Sequence, residues 1–226
     1  MKITFKVGGF LFPRAVNAEL VAEYAKKFIQ LYQQGHHLLV VTGGGEVARH
    51  YIDVARRLGA SESLCDQIGI QVSRINASLL VSGLKDIVAP SIPTRFEEAL
   101  NDYTLRGLVI MGGLQPGQST NAVAALLSEA AGVDMLVNLT DVDGVYSSDP
   151  KADSNARKFD EITPGGLAEI IAGKTATAGG YRLLDPVALK IIERSLLPTW
   201  IINGKDPSNV DRVLRKKRVG TRIVFR

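Results

Sequence analysis

Apolar runs at residues 3–7, 38–41, 108–111, 135–139 and 199–202 alternate with segments at 18–32, 47–58, 120–131 and 186–194 whose apolar positions recur at helical spacing. A strand that is apolar on both faces must be covered on both, and short strands separated by helices predict parallel pairing through right-handed crossovers. The expected fold class is therefore α/β, a three-layer α/β/α sandwich with a mainly parallel central sheet. Residues 61–83 read as one further long helix, apolar at Leu64, Ile68, Val72, Ile75, Leu79 and Leu80. That is more apolar surface than one sheet face needs, so part of it is expected to bury against a second subunit. Residues 140–166 show no periodicity and read as a long loop of the kind that carries function. No repeat, low-complexity tract or linker divides the chain, so residues 1–226 are expected to form a single domain.

Three of these strands run straight into glycine: Val7 into Gly8 and Gly9, Thr42 into Gly43, Gly44 and Gly45, and Met111 into Gly112 and Gly113. Ligands of open parallel sheets bind beyond the carboxyl ends of the strands, so the three clusters are expected to meet in space. The third is the most informative. GGLQPGQSTN at 112–121 joins a strand to an alanine-rich helix that Ser119 or Thr120 would cap, and backbone N–H groups at such a junction favour anions. Its spacing approaches a P-loop, but Gln118 stands where a lysine must reach the phosphates. Gly43 to Ala48 also satisfies the dinucleotide pattern G-x-G-x-x-G/A, which wants an acidic residue ending a second strand about 20 residues on. Asp66 has the distance but sits in helical sequence, so that pattern fits poorly.

Composition narrows the chemistry. With 46% hydrophobic residues the chain is long enough for a substantial core. No apolar run approaches a membrane span and no signal peptide is evident, so a cytoplasmic protein without a membrane partner is expected. Cys65 is the sole cysteine, which excludes an internal disulfide. Arg212, Arg215, Lys216, Lys217, Arg218, Arg222 and Arg226 crowd the C-terminus. Only Phe225 interleaves with them, so a solvated helix end and strand is expected there and no nucleic-acid partner. His36, His37 and His50 are the only histidines, which leaves neither a metal cluster nor a Ser-His-Asp set.

Lys6 is polar within a run that is otherwise buried, one residue before the first glycine pair, and is expected to reach into the site. Phosphoryl transfer asks mainly for positioning and for positive charge on the moving group, a part Lys6 could fill. Asp141, Asp143 and Asp149 could bind magnesium, hold ribose hydroxyls or orient the lysine, and spacing does not choose among these. Asp143 is chosen as the catalytic companion of Lys6.

These segments resemble the amino acid kinase superfamily and, within it, the archaeal uridylate kinases, over nearly the whole chain. KVGG at 6–9, VTGGG at 41–45 with Ala48 and Arg49, GGLQPGQST at 112–120, TDVDGVY at 140–146 with Asp149 and Pro150, and LDPVALK at 184–190 carry the resemblance. It implies transfer of the γ-phosphoryl group of ATP to UMP in pyrimidine nucleotide (CTP) biosynthesis, with Mg2+ carried as Mg-ATP. It also implies a homohexamer built from dimers. Gly44 and Asp66 match UMP contacts, as does the loop Leu114, Gln115, Pro116, Gly117, Gln118, Ser119 and Thr120. Gly9, Phe10, Gly45 and Arg49 match positions around the ATP phosphates. Thr140, Asp141, Tyr146 and Asp149 match the pocket for adenine and its ribose, and Lys6 matches the residue that stabilises the transition state. Phe10 departs from the serine or lysine usual there and can offer a phosphate only its backbone N–H; Asp141 replaces a frequent asparagine. Two alternatives stay open: a nucleotide-binding or sensing protein without turnover, and another small-molecule kinase of the superfamily acting on acetylglutamate, carbamate, aspartate or isopentenyl phosphate.

Overall fold

The computed structural model describes residues 1–84, 87–89, 91–148, 153, 155–173 and 183–225. Its centre is a seven-stranded sheet of β1 (Lys2–Val7), β2 (His37–Thr42), β3 (Leu108–Met111), β4 (Met135–Thr140), β5 (Glu161–Ile162), β6 (Thr199–Asn203) and β7 (Thr221–Ile223). The order is β3-β2-β1-β4-β6-β7-β5, parallel at every pairing except β6 with β7. Among the described residues eight α-helices accompany it: α1 (Ala18–Gln33), α2 (Gly45–Arg57), α3 (Glu62–Ser82), α4 (Phe96–Arg106), α5 (Thr120–Ala131), α6 (Pro164–Gly173), α7 (Pro186–Arg194) and α8 (Ser208–Leu214).

The unbroken apolarity of the strands has its reason in the layers. Along β2, Leu38 and Val40 point to a core built with Tyr24 and Phe28 of α1, Leu80 of α3 and Val210 of α8. Leu39 and Val41 point the other way, to α4, α5, α6 and α7. Both faces are dry, as a parallel sheet requires. Burying side chains such as Phe5, Phe28 and Leu80 stabilises the fold by roughly 1.5–3 kcal/mol each before the entropy of ordering them is counted. α2 lies outside this sandwich, burying only Ala48.

Helix starts follow local chemistry. The side chains of Asn17, Ser61 and Ser119 accept from Leu20, Leu64 and Ala122 N–H and so cap α1, α3 and α5. Asp185 caps α7 ahead of Pro186, whose fixed φ suits the first helical position. The three-layer class and the five apolar strands are as the hydrophobic pattern predicts. The aperiodic stretch 140–166 differs in its last residues, which form β5 and the start of α6 and bury Ile162 and Leu167. α4 also lies where no element is expected, while the end of α8 and β7 fall in the basic C-terminal stretch read as a helix end and strand.

Candidate active site

β1 leads to β2 on one side, while β4 lies on its other side, so the carboxyl ends of β1 and β4 diverge at a topological switch point. The ladder stays closed up to the glycines: Gly8 N donates to Leu139 O at 2.9 Å and Gly43 N to Val7 O at 2.9 Å. Beyond that edge lie the glycine clusters that follow β1, β2 and β3.

Lys6 lies at this edge, in register with Val41 of β2 and Asn138 of β4. Burial pushes its pKa down to about 8, against the pull of two carboxylates, Asp185 and then Asp141. Asp185 is fixed from two sides. Its Oδ1 accepts from Val187 and Ala188 N–H at 3.0 Å each, and its Oδ2 accepts from the Ser119 hydroxyl, which itself caps α5. One carboxylate thus joins the N-termini of two helices, both positive ends, beside the lysine. The turn before it is held by two amides, Asn138 Nδ2 and Asn121 Nδ2, which donate to Leu183 O at 2.9 and 3.2 Å.

On the β2–β3 side, α3 supports both glycine clusters. Asn76 Nδ2 donates to Gly43 O at 2.8 Å, and Gly113 N donates to Ser73 Oγ at 2.7 Å. Thr42 Oγ1 is close to the carbonyls of both Ser73 and Met111, stitching helix to sheet. Asp66 Oδ2 accepts from Gly117 N at 2.8 Å, so the aspartate is tied directly to the loop 114–120. Gly44, the cap residue of α2, packs against Ala48 and the backbone of Gly69, one turn from Asp66.

On the other side, Gly9 begins a 3-10 turn that closes on Phe12 and packs against Gly45, with Arg49 beside it. Gly45 has φ +66, and Phe12 O accepts from Glu46 N at 3.2 Å. Phe10 turns its ring inward: it lies 5.8 Å from the Tyr24 ring, beside Gly204, and the Tyr24 hydroxyl donates to Gly204 O at 2.5 Å. Thr140 is buried, its hydroxyl occupied by the backbone of Val142 and Ile202. Asp143 Oδ1 accepts from Asn203 Nδ2 at 2.8 Å, and burial, with a smaller part from the Asp143 charge, pushes the Tyr146 pKa up. Asp149 lies outside the described residues.

Gly9, Gly45 and Arg49 therefore pack together at the end of β1, and Asp66 is tied to the loop 114–120 at the end of β3, with Lys6 on β1. Asp143, the expected catalytic companion of Lys6, is exposed and accepts from Asn203, while the carboxylates whose charge acts on the lysine are Asp185 and Asp141. Sequence reasoning assigned no role to Asp185, Asn138 or Asn203. Asn138 carried a usable signal, a polar residue inside an apolar strand, the same feature that singles out Lys6.

Residues 1–203 match the amino acid kinase family, and the chain belongs to it. Among its relatives it is 43% identical to a uridylate kinase of Methanococcoides burtonii, over 99% of this chain and all of that one. It is 43% identical to a uridylate kinase of Archaeoglobus fulgidus, with the same coverage. The crystal structure of uridylate kinase from Archaeoglobus fulgidus superposes with a TM-score of 0.88 over 99% of this chain and 100% of that one. A UMP kinase structure from Bacillus anthracis, at 20% identity and TM-score 0.81 over 99% of this chain and 95% of that one, shares the fold.

Proposed function

We infer that this chain transfers the γ-phosphoryl group of ATP to UMP, giving UDP and ADP. The reading is carried by its full-length similarity to archaeal uridylate kinases joined to one feature, a buried-edge lysine at the switch point between two glycine-lined walls. UMP lies along Gly44, Asp66 and 114–120; the ATP phosphates lie along Gly9, the Phe10 N–H, Gly45 and Arg49; the adenosine lies near Thr140, Asp141, Tyr146 and Asp149. Attack by a UMP phosphate oxygen on the γ-phosphorus spreads negative charge over the equatorial oxygens, and the Lys6 ammonium neutralises it. Asp185 keeps that ammonium in place, and the N-termini of α5 and α7 add positive potential. Mg2+ carried on ATP would neutralise phosphate charge. The hard carboxylate oxygens facing Lys6, on Asp141 and Asp185, are of the type such an ion takes beside substrate phosphates.

Purified protein given Mg-ATP with UMP, CMP, dTMP, AMP, carbamate or acetylglutamate is expected to form ADP chiefly with UMP. ATP and UMP bound without ADP formation would instead mark a sensor that holds nucleotides without turnover. Leu64, Ile75 and Leu79 on α3, Tyr51 and Val54 on α2 and Leu58 at its C-cap are exposed, which supports burial between subunits, in keeping with the homohexamer we propose. No helix among the described residues is long and apolar enough to cross a membrane, and we place the protein in the cytoplasm.

Two outcomes test the site. Asp66→Asn keeps an acceptor but loses its charge, so the KM for UMP should rise about fivefold with kcat nearly kept, as steady-state kinetics would report. Lys6 must be protonated to act, so kcat/KM should fall as pH rises through about 8. Lys6→Arg should abolish that limb, and a limb unchanged in this variant would assign it to another group. Stability moves oppositely: with the folded pKa below the ordinary 10.5, the cost of burying the Lys6 charge opposes folding below about 8 and is relieved as pH rises from about 8 to 10.5.

A further inference from the structure

Arg74 of α3 has no part in the chemistry above, yet it touches the UMP wall at its root. Its Nε donates to Gly113 O at 3.1 Å, and its Nη2 to Leu114 O at 3.0 Å and to Thr94 O at 3.3 Å. Among the described residues no carboxylate pairs with it, so its planar fork is given to backbone carbonyls of two segments distant in sequence. A trans peptide is rigid, and the N–H of each residue points opposite to the carbonyl before it. Turning the carbonyls of Gly113 and Leu114 toward α3 therefore turns the N–H groups of Leu114 and Gln115 away from it. Ser73 holds the preceding amide by accepting from Gly113 N, and Asp66 holds the far end at Gly117.

We propose that Arg74 is a positioning residue that aims the amides of Leu114 and Gln115 at the acceptor nucleotide, a role that rests on the UMP reading of this loop. Lysine could keep the charge but not bridge three carbonyls from one plane. In Arg74→Gln the KM for UMP should rise about tenfold, the worth of one charge-assisted hydrogen bond, while the KM for ATP stays within about twofold. Arg74→Lys should fall between this variant and the wild type, and it carries the test should Arg74→Gln fail to fold. Amide hydrogen exchange of the nucleotide-free protein should show Gly113 and Gly117 losing protection in the variant. A wild-type KM for UMP, or unchanged exchange at both glycines, would overturn the proposal. If the wild-type chain forms no UDP, the UMP reading falls by itself, and the exchange measurement, which needs no substrate, still decides whether Arg74 sets the loop.

Discussion

Lys6→Ala should lower kcat roughly a thousandfold while leaving the KM for UMP within a few-fold, because removing one preorganised charge from a phosphoryl-transfer site costs on the order of 3–4 kcal/mol. The asymmetry comes from when the charge is needed. Lys6 stands at the edge between β1 and β4, where burial disfavours its ammonium and Asp185 and Asp141 favour it. It meets the greatest negative charge only while the phosphoryl group is in flight, so the loss belongs to kcat and not to ground-state binding. Single-turnover kinetics under saturating Mg-ATP and UMP would check this. Equal loss in kcat/KM and in UMP affinity would move Lys6 from the chemistry to the binding of the acceptor.

The second large effect is on folding. Gly45→Ala should destabilise the chain by roughly 2–5 kcal/mol, the sum of a left-handed alanine and an overpacked contact. Gly45 has φ +66, and a Cβ there would lie 2.2 Å from Phe12 O and 3.0 Å from Phe12 Cβ. Phe12 O is also the acceptor for Glu46 N, so the clash cannot be relieved without opening the junction between the Gly9 turn and α2. For a chain of this size the melting temperature should fall by on the order of 10 °C. Gly59→Ala is the control, since Gly59 has φ +86 but open space around it. It should cost only about 1–2 kcal/mol. Calorimetry on the two variants separates backbone strain from contact, and similar losses in both would remove the Phe12 contact from the account.

Much of this was legible in the chain. α5 and α7 begin and end where their patterns and caps predict, because Ser119, Asp185 and Pro186 are strong start signals. α3 is bounded by Ser61 and Gly83 as read. α4 was not legible: it buries only Ala99 and Tyr103 among its described positions, too few to mark a helical stripe. β5 and β7 are two and three residues long, and their pairing depends on each other rather than on local preference. In the site, glycines that end strands announce themselves, since the sheet edge and the need for close backbone approach are both local. The partner of Lys6 does not. Asp143 is nearer in sequence to the other acidic residues, but Asp185, held at the start of α7, is the carboxylate whose charge acts most on the lysine, a proximity that only tertiary structure provides. Asp149 lies outside the described residues, so its part in the adenine pocket stays a sequence-based expectation.

The loop after β3 is fastened at both ends to the same helix, by Arg74 and Ser73 at 113–114 and by Asp66 at 117, while Gln115 and Pro116 between them are exposed. Anchors that do not involve the intervening side chains make those two positions an exchangeable cassette. Libraries confined to residues 115 and 116 would explore acceptor selectivity on a fixed frame, whereas libraries that include 66, 73 or 74 would spend most of their members on misplaced loops.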